Sequence, residues 1–138
     1  MRIAVTGAGG RLGGQIVELL ATQEEHHVIA LRRREVRLGP RSPRISVAAA
    51  DYADLAALRR ALRGIDTLVF VSSDGETAQL LIHHHNVVQA AVDGGVAHIV
   101  ALSSLDADLE SPFCYAATNR HTEEILYGSG RAVSIARA

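Results

Sequence analysis

The sequence predicts a single α/β domain in which helices cover both faces of a parallel β-sheet. Short runs rich in β-branched residues alternate with amphipathic segments, a pattern typical of repeated β-α-β units. A chain of 138 residues is long enough to bury one core and too short for two complete domains. Apolar residues make up 48% of the chain and charged residues 21%, which is typical of soluble globular domains.

Six strands are predicted, and each is short and largely apolar, as expected for strands buried in a parallel sheet. They lie at residues 2–6, 28–31, 45–49, 67–71, 98–102 and 132–136. The segment 32–44 contains two prolines and six Arg residues, so it is predicted to be a solvated loop.

Four helices are predicted between the strands from apolar spacing and capping residues. The first helix is predicted from an apolar stripe of Leu12, Ile16, Leu19 and Leu20, and the second from a cap at Asp54 and an end between Leu62 and Gly64. The third is an amphipathic run at residues 77–92 that is closed by Asp93-Gly94-Gly95. The fourth is opened by Pro112 and ends near Gly128.

Charge and composition narrow the class of partner. The 14 basic side chains are all Arg and are balanced by 15 acids, so nothing predicts a basic surface for nucleic acid or anionic lipid. We expect a small-molecule partner, no nucleic acid and no membrane. Without Lys the chain has no lysine base, Schiff base or P-loop lysine. Cys114 has no second cysteine to pair with, and no secretory segment is visible, so a cytoplasmic location is expected.

A glycine-rich loop follows the first strand directly. Its spacing is Gly7-x-x-Gly10-x-x-Gly13, between a strand and an amphipathic helix, which is the arrangement of a dinucleotide site. Free N–H groups at the helix start would face a pyrophosphate. The sequence therefore predicts a Rossmann-type fold with strand order 3-2-1-4-5-6. A purely structural glycine-rich turn is the alternative.

The end of the second predicted strand indicates which dinucleotide is bound. NAD-specific sites place an acid there, whereas this chain has Arg32-Arg33-Arg34 and no acid before Glu35. A guanidinium can pair with a 2′-phosphate, so NADPH is predicted to be preferred over NADH. Arg32 is the predicted ligand and Arg11 a second cation, although part of this Arg run could simply be solvated.

Five motifs resemble one family over the whole chain. They are Thr6-Gly7-x-x-Gly10-x-x-Gly13, Ala50-Asp51-Tyr52, Val71-Ser72-Ser73, the His-x-Asn-Val-Val run at His84 to Val88, and Ser103-Ser104. In this order they resemble the atypical short-chain dehydrogenases/reductases of the NmrA-like type, and most of all the NAD(P)H:quinone oxidoreductase branch.

The resemblance implies positions for the rest of the cofactor. Asp51 and Tyr52 would border the adenine, and Ser72 and Ser73 would lie under the adenosine ribose. Asp51 could instead cap a turn. With the glycine loop, the predicted cofactor-binding residues are Thr6, Gly7, Gly10, Arg11, Leu12, Gly13, Arg32, Asp51, Tyr52, Ser72, Ser73, Ser104 and Asn119.

The catalytic centre departs from the pattern of the superfamily, which pairs a Ser with Tyr-x-x-x-Lys. Here Asn119 stands four residues after Tyr115, where that pattern has Lys, and it cannot supply the positive charge. Tyr115 could still donate a hydrogen bond to a carbonyl. Ser103 and Ser104 would contact substrate or the nicotinamide ribose, or only cap a loop, and Asn119 would bond that ribose. Quinone reduction needs mainly hydride delivery, so the missing Lys is still compatible with a reductase.

Two other constellations are not predicted to be chemical sites. Adjacent residues on a helix point about 100° apart, so His83-His84-His85 cannot converge on one metal ion, and no metal is predicted. Cys114 has no nearby cation to activate its thiol.

The predicted domain covers residues 1–138, and the family would continue into a substrate-binding portion that this sequence lacks. The chain is then either a fragment, which its apolar last strand favours, or a natural short form. Two functions follow: an NADPH-dependent reductase that passes hydride to a quinone or similar carbonyl compound, or a non-catalytic, NADP-binding redox-sensing regulator. A homodimer is left open.

Overall fold

The structure is a computed structural model that describes residues 1–33, 42–72 and 76–138. Arg34 and Ser73 therefore lie outside the described residues. The elements, in chain order, are β1 Arg2–Val5, α1 Arg11–Ala21, β2 His27–Arg32, β3 Ile45–Ala49, α2 Leu55–Leu62, β4 Thr67–Phe70, α3 Thr77–Asp93, β5 His98–Ser103, α4 Ala116–Tyr127 and β6 Ala132–Arg137. Within these ranges no helix is long and apolar enough to cross a membrane.

The described strands form one six-stranded sheet in the order β3-β2-β1-β4-β5-β6. Every neighbouring pair is parallel, and the register aligns Val5 with Ala30 of β2 on one side and Val69 of β4 on the other. The predicted Rossmann-type order is confirmed. Because β1 lies between β2 and β4, the order reverses there, and ligands of such sheets bind at this switch point.

Helices cover both faces of the sheet, as predicted. Helix α1 packs on one face, where Val17 meets Ile3, Val5 and Val28. Helices α2, α3 and α4 cover the other face with a larger core that contains residues from each of them, including Leu58, Leu62, Val87, Val88 and Leu126. The predicted cap of α2 is confirmed, since an Asp54 carboxylate oxygen accepts the Ala57 N–H at 3.0 Å.

The predicted apolar stripe of α1 is partly wrong. Ile16 and Leu20 pack against the core, but Leu12 and Leu19 are 43% and 69% exposed. The buried positions of the helix are Gly13 and Val17. Gly13 lies so close to the loop after β1 that it fixes the rotation of the helix, which turns Leu19 into solvent.

Helix α4 begins at Ala116 and not at Pro112 as predicted. The Ser111 hydroxyl accepts the Phe113 N–H and donates to a carboxylate oxygen of Asp106, and these bonds hold a local turn. The first helical hydrogen bond runs from the Asn119 N–H to the Tyr115 carbonyl at 2.9 Å. Tyr115 is therefore the residue that precedes the helix.

Candidate functional site

A cleft of about 650 Å³ opens at the carboxyl ends of the strands, above the switch point between β1 and β4. Its walls come from the loop after β1, the ends of β2 and β5, and the segments after β3 and β4. The lining residues are Gly7, Gly9, Gly10, Arg11, Leu12, Gly13, Arg32, Arg33, Asp51, Tyr52, Val71, Ser72 and Leu102.

The glycine loop forms the floor of this cleft. Gly7 has a φ of 63°, in the left-handed region that favours glycine, so the chain turns sharply off β1. Helix α1 starts after Gly10 without a side-chain cap. Among the described residues, the N–H groups of Arg11, Leu12 and Gly13 have no acceptor. Unpaired amides at the start of a helix form a ready site for an anion such as a pyrophosphate.

Gly13 has a structural role inside the loop. A Cβ built on Gly13 would lie 2.6 Å from the Gly7 carbonyl carbon and closer still to its oxygen. A Cβ on Gly10 would meet only the Gly7 carbonyl oxygen, at 3.3 Å. The third glycine thus lets α1 begin directly against the turn, whereas the second lies open toward the cleft.

Thr6 does not line the cleft. Its buried hydroxyl accepts the Val71 N–H at 2.8 Å and donates to the Val71 carbonyl at 3.0 Å. Its own N–H bonds to the Val69 carbonyl. Thr6 therefore ties the end of β1 to the end of β4, and its predicted contact with the cofactor is not supported by this geometry.

Two guanidinium groups border the cleft where β2 ends. Arg32 is half-buried, and its Nε is buried with no hydrogen-bond partner among the described residues. The side chain of Arg33 is 72% exposed and lies 3.5 Å from a carboxylate oxygen of Asp51. Arg11 lines the same cleft at the start of α1. The predicted cations Arg11 and Arg32 thus line one cleft, and Arg33 pairs with Asp51, the one acid among the described lining residues.

Asp51 and Tyr52 form the wall opposite the glycine loop. Asp51 accepts the Ala53 N–H at 2.9 Å, so it caps a turn as well as lining the cleft. Tyr52 donates its hydroxyl hydrogen to the Val71 carbonyl at 2.8 Å. Burial raises the pKa of Tyr52 above its usual value, an effect that the nearby Thr6 hydroxyl partly offsets, so the phenol stays protonated.

Asn86 supports the segment of Asp51 and Tyr52 through a hydrogen bond and was not among the predicted site residues. Its side-chain amide donates to the Tyr52 carbonyl at 2.9 Å, and the ring of neighbouring His83 packs edge-on against the Tyr52 ring. Asn86 belongs to the His-x-Asn-Val-Val run that the sequence analysis singled out. That run gives the residue types but not the segment of the chain that their side chains contact. Leu102, at the end of β5, lines the cleft and was likewise not among the predicted site residues.

A smaller pocket of about 140 Å³ adjoins the cleft, and Ser72 lines both. The other lining residues are Leu80, His84, Phe113, Tyr115, Thr118 and Asn119. We call it the His84 pocket. It brings the predicted residues Tyr115 and Asn119 together with Ser72.

Ser104 joins this group indirectly, because its hydroxyl accepts a hydrogen from the Asn119 side-chain amide at 2.9 Å. Ser103 lines neither cavity. It lies near Glu123, a buried carboxylate held by Arg137 through two bonds of 2.9 and 2.6 Å. This guanidinium lowers the pKa of Glu123, with a smaller contribution from Ser103. The predicted catalytic role of Ser103 is therefore not supported by its position.

The three consecutive histidines of α3, residues 83–85, point in different directions. His83 and His84 are buried and His85 is exposed, so the three side chains do not meet. In the described part of the chain, no three His, Cys, Asp or Glu side chains are grouped to hold a metal ion. Cys114 is exposed.

Comparisons with known proteins agree with this geometry. A family model described as NAD(P)H-binding matches residues 7–138. Quinone oxidoreductase 2 of Escherichia coli (strain K12) is 37% identical over 137 residues, covering 98% of this chain and 47% of that protein. An NmrA-like family domain-containing oxidoreductase of Aspergillus flavus is 30% identical, covering 94% and 45%.

A solved structure shows the same likeness in three dimensions. The crystal structure of the NADPH-dependent quinone oxidoreductase from Escherichia coli, complexed with NADPH, superposes with a TM-score of 0.81 at 36% sequence identity. The superposition covers 98% of this chain and 48% of that one. The chain thus spans about half the length of the relatives that it matches.

Proposed function

Because the chain belongs to the NAD(P)H-binding family, we propose that it is the dinucleotide-binding part of an NADPH-dependent reductase that passes hydride to a quinone or a similar carbonyl compound. The observation that carries the proposal is the cleft, which combines free amides at the start of α1 with guanidinium groups at the end of β2. Similarity to the quinone oxidoreductase of Escherichia coli supports the choice of substrate class.

The preference for NADPH follows from the charges at the end of β2. Arg32 and Arg33 stand where an NAD-specific site would have an acid to accept the ribose 2′-hydroxyl. Asp51, the one carboxylate among the described lining residues, lies beside Arg33. Arg32 lines the cleft and forms no ion pair among the described residues, so it is the group assigned to the 2′-phosphate.

The remaining lining residues bind and orient the dinucleotide. The amides of Arg11, Leu12 and Gly13 take the pyrophosphate, and Asp51 and Tyr52 border the adenine. The bound dinucleotide supplies the hydride. Asn119 donates one amide hydrogen to Ser104, so its carbonyl oxygen and its second amide hydrogen are available to a ribose hydroxyl. Tyr115 has no lysine beside it, so its role is hydrogen-bond donation to a substrate carbonyl and not proton abstraction.

The Arg32→Ala variant is expected to lose NADPH affinity by about 1.5–3 kcal/mol while NADH affinity barely changes, since a hydrogen bond to a charged group contributes that much. Calorimetric titration of both dinucleotides at low salt measures the difference. Added salt should weaken NADPH binding more than NADH binding, because an exposed phosphate–guanidinium contact is screened.

The matched control is Arg63→Ala, which removes an exposed guanidinium at the end of α2, outside the cleft lining. It should leave both affinities unchanged. If Arg11 shares the phosphate, the Arg11/Arg32 double variant should lose more than Arg32→Ala alone. Equal affinities of the parent protein for NADPH and NADH would refute the assignment.

Turnover is tested by mixing the full-length protein with NADPH and 1,4-benzoquinone and following the loss of nicotinamide absorbance. A Cys114→Ser variant is used beside the parent, because quinones add to exposed thiols. We expect absorbance to fall in both. Tight NADPH binding with no oxidation would reject the reductase and favour the redox-sensing regulator.

A further inference from the structure

The loop between β3 and α2 forms one wall of the cleft, and a helix distant in sequence holds its main chain. The carbonyl of Tyr52, in this loop, accepts a partly buried hydrogen bond of 2.9 Å from the side-chain amide of Asn86 on α3. In the described part of the chain, no backbone N–H reaches that carbonyl. Backbone carbonyls away from water need a partner, so the main chain at Tyr52 depends on the amide of Asn86.

Asn86 extends from a part of α3 that is fixed by the core. The next two residues, Val87 and Val88, are 0% and 4% exposed and pack in the larger core cluster. His83, three residues before Asn86 and on the same side of the helix, packs its ring edge-on against the Tyr52 ring, with centroids 6.2 Å apart. Because close-packed interiors resist displacement, one face of α3 gives the loop a rigid support.

Asn86 acts on the cleft only through this loop. It is not among the residues that line the cleft, and it lines a separate groove between α3 and α4 instead. Asp51 does line the cleft, and its carboxylate can accept a hydrogen bond from the exocyclic amine of adenine. The Tyr52 hydroxyl is held at Val71, at the far end of its side chain, whereas Asn86 holds the main chain from which Asp51 extends.

We infer that Asn86 is a positioning residue for the adenine of the dinucleotide. Through the Tyr52 carbonyl it sets where the Asp51 carboxylate stands, and so how well the site distinguishes adenine from another purine. The inference rests on the proposed function, since it concerns the dinucleotide of the same cleft. A wall that is already ordered costs the ligand less free energy on binding than a wall that the ligand must order.

The test is calorimetric titration of the full chain with NADPH and with its hypoxanthine analogue, in which a carbonyl replaces the exocyclic amine. The parent should prefer NADPH at least about tenfold, because the analogue loses a hydrogen bond to the Asp51 carboxylate. Asn86→Leu removes the amide donor with little change in size. We expect it to weaken NADPH binding about three- to tenfold and to reduce the preference for adenine to below about threefold.

The matched control is Gln89→Leu on the same helix, which removes an amide that donates to Asp93 at 2.9 Å near the surface. It should keep the affinities and the preference of the parent. A purely structural role of Asn86 would lower the unfolding free energy and weaken both dinucleotides by the same factor. That result, a parent without preference for adenine, or an Asn86→Leu variant that binds like Gln89→Leu would overturn the inference.

A second variant covers the case in which Asn86→Leu does not fold. Asn86→Ala removes the same donor and replaces Asn by a better helix former, so the same comparison of the two dinucleotides then decides. Failure of the proposed function gives a different result, because the parent would then bind neither dinucleotide. Tight NADPH binding with an unchanged preference in the Asn86 variants rejects the positioning role alone.

Discussion

The Gly13→Ala variant is expected to lose at least about 3 kcal/mol of unfolding free energy, the upper end of the usual cost of overpacking. The new Cβ would lie 2.6 Å from the Gly7 carbonyl carbon, and this neighbour is backbone that cannot rotate away. Relief would require α1 to move off the turn after β1. Because a domain of this kind has only about 5–15 kcal/mol in total, the loss is large and is measurable by urea unfolding.

Two neighbouring glycines provide matched controls. At Gly14 a Cβ meets its nearest atom, the Ala8 carbonyl oxygen, at an ordinary 3.5 Å, so Gly14→Ala should stabilise the helix by about 0.5–1 kcal/mol. Gly10→Val should fold, because a Cβ there meets only one atom at 3.3 Å, but its side chain enters the cleft and should abolish NADPH binding. Equal stability of Gly13→Ala and Gly14→Ala would contradict the close approach of α1.

Acid is expected to destabilise the protein through His84 by up to about 3 kcal/mol. The pKa of His84 is lowered to about 4, first by burial and then by His83. In the unfolded chain the ring titrates near its ordinary pKa of about 6.5. Between these values the unfolded state binds the proton and the folded state does not. The stabilisation is therefore complete above pH 6.5 and is lost progressively as the pH falls toward 4.

Urea unfolding at several pH values between 7 and 4 measures this effect in the parent and in His84→Gln. The variant should show a shallower fall of unfolding free energy, because the titrating ring is gone. Arg59 lowers the pKa of Asp93, and Arg137 lowers that of Glu123, so both carboxylates also lose stabilisation in acid. This loss is the same in the parent and in His84→Gln, so it cancels when their unfolding free energies are compared. His85→Gln, at the exposed neighbouring position, should behave like the parent. If unfolding free energy fell equally with pH in the parent and in His84→Gln, His84 would not be the cause of the acid destabilisation.

Much of the fold could be predicted because the strands and helices leave local signals. Each of the six predicted strands lies within two residues of the observed one, since buried parallel strands are short apolar runs between turns. The resemblance to NmrA-like reductases is likewise confirmed by the matched relatives. The errors concern Leu19 and Pro112. The rotation of α1 depends on a contact between Gly13 and Gly7, and the start of α4 depends on side-chain bonds of Ser111, neither of which periodicity reports.

The candidate site could be predicted as a set of residue types but not as a set of contacts. Gly7 and Gly10 were predicted from their spacing after a strand and Arg32 from the missing acid at the end of the second strand, and all three line the cleft. Thr6 and Ser103 lie in the right segments, yet the Thr6 hydroxyl bonds to Val71 and the Ser103 hydroxyl is buried near Glu123, and the sequence holds no sign of either neighbour. The role of Asn86 was hidden for the same reason, because its partner is a backbone carbonyl 34 residues away.

The bonds that converge on Val71 bear on how fast a dinucleotide can bind. Thr6 reaches this peptide from the end of β1, and Tyr52 reaches its carbonyl from beyond the end of β3. The glycine-loop side and the Tyr52 side of the cleft are thereby tied to each other through Val71. An incoming dinucleotide meets these two walls already joined, and the Arg residues at the rim attract its phosphates.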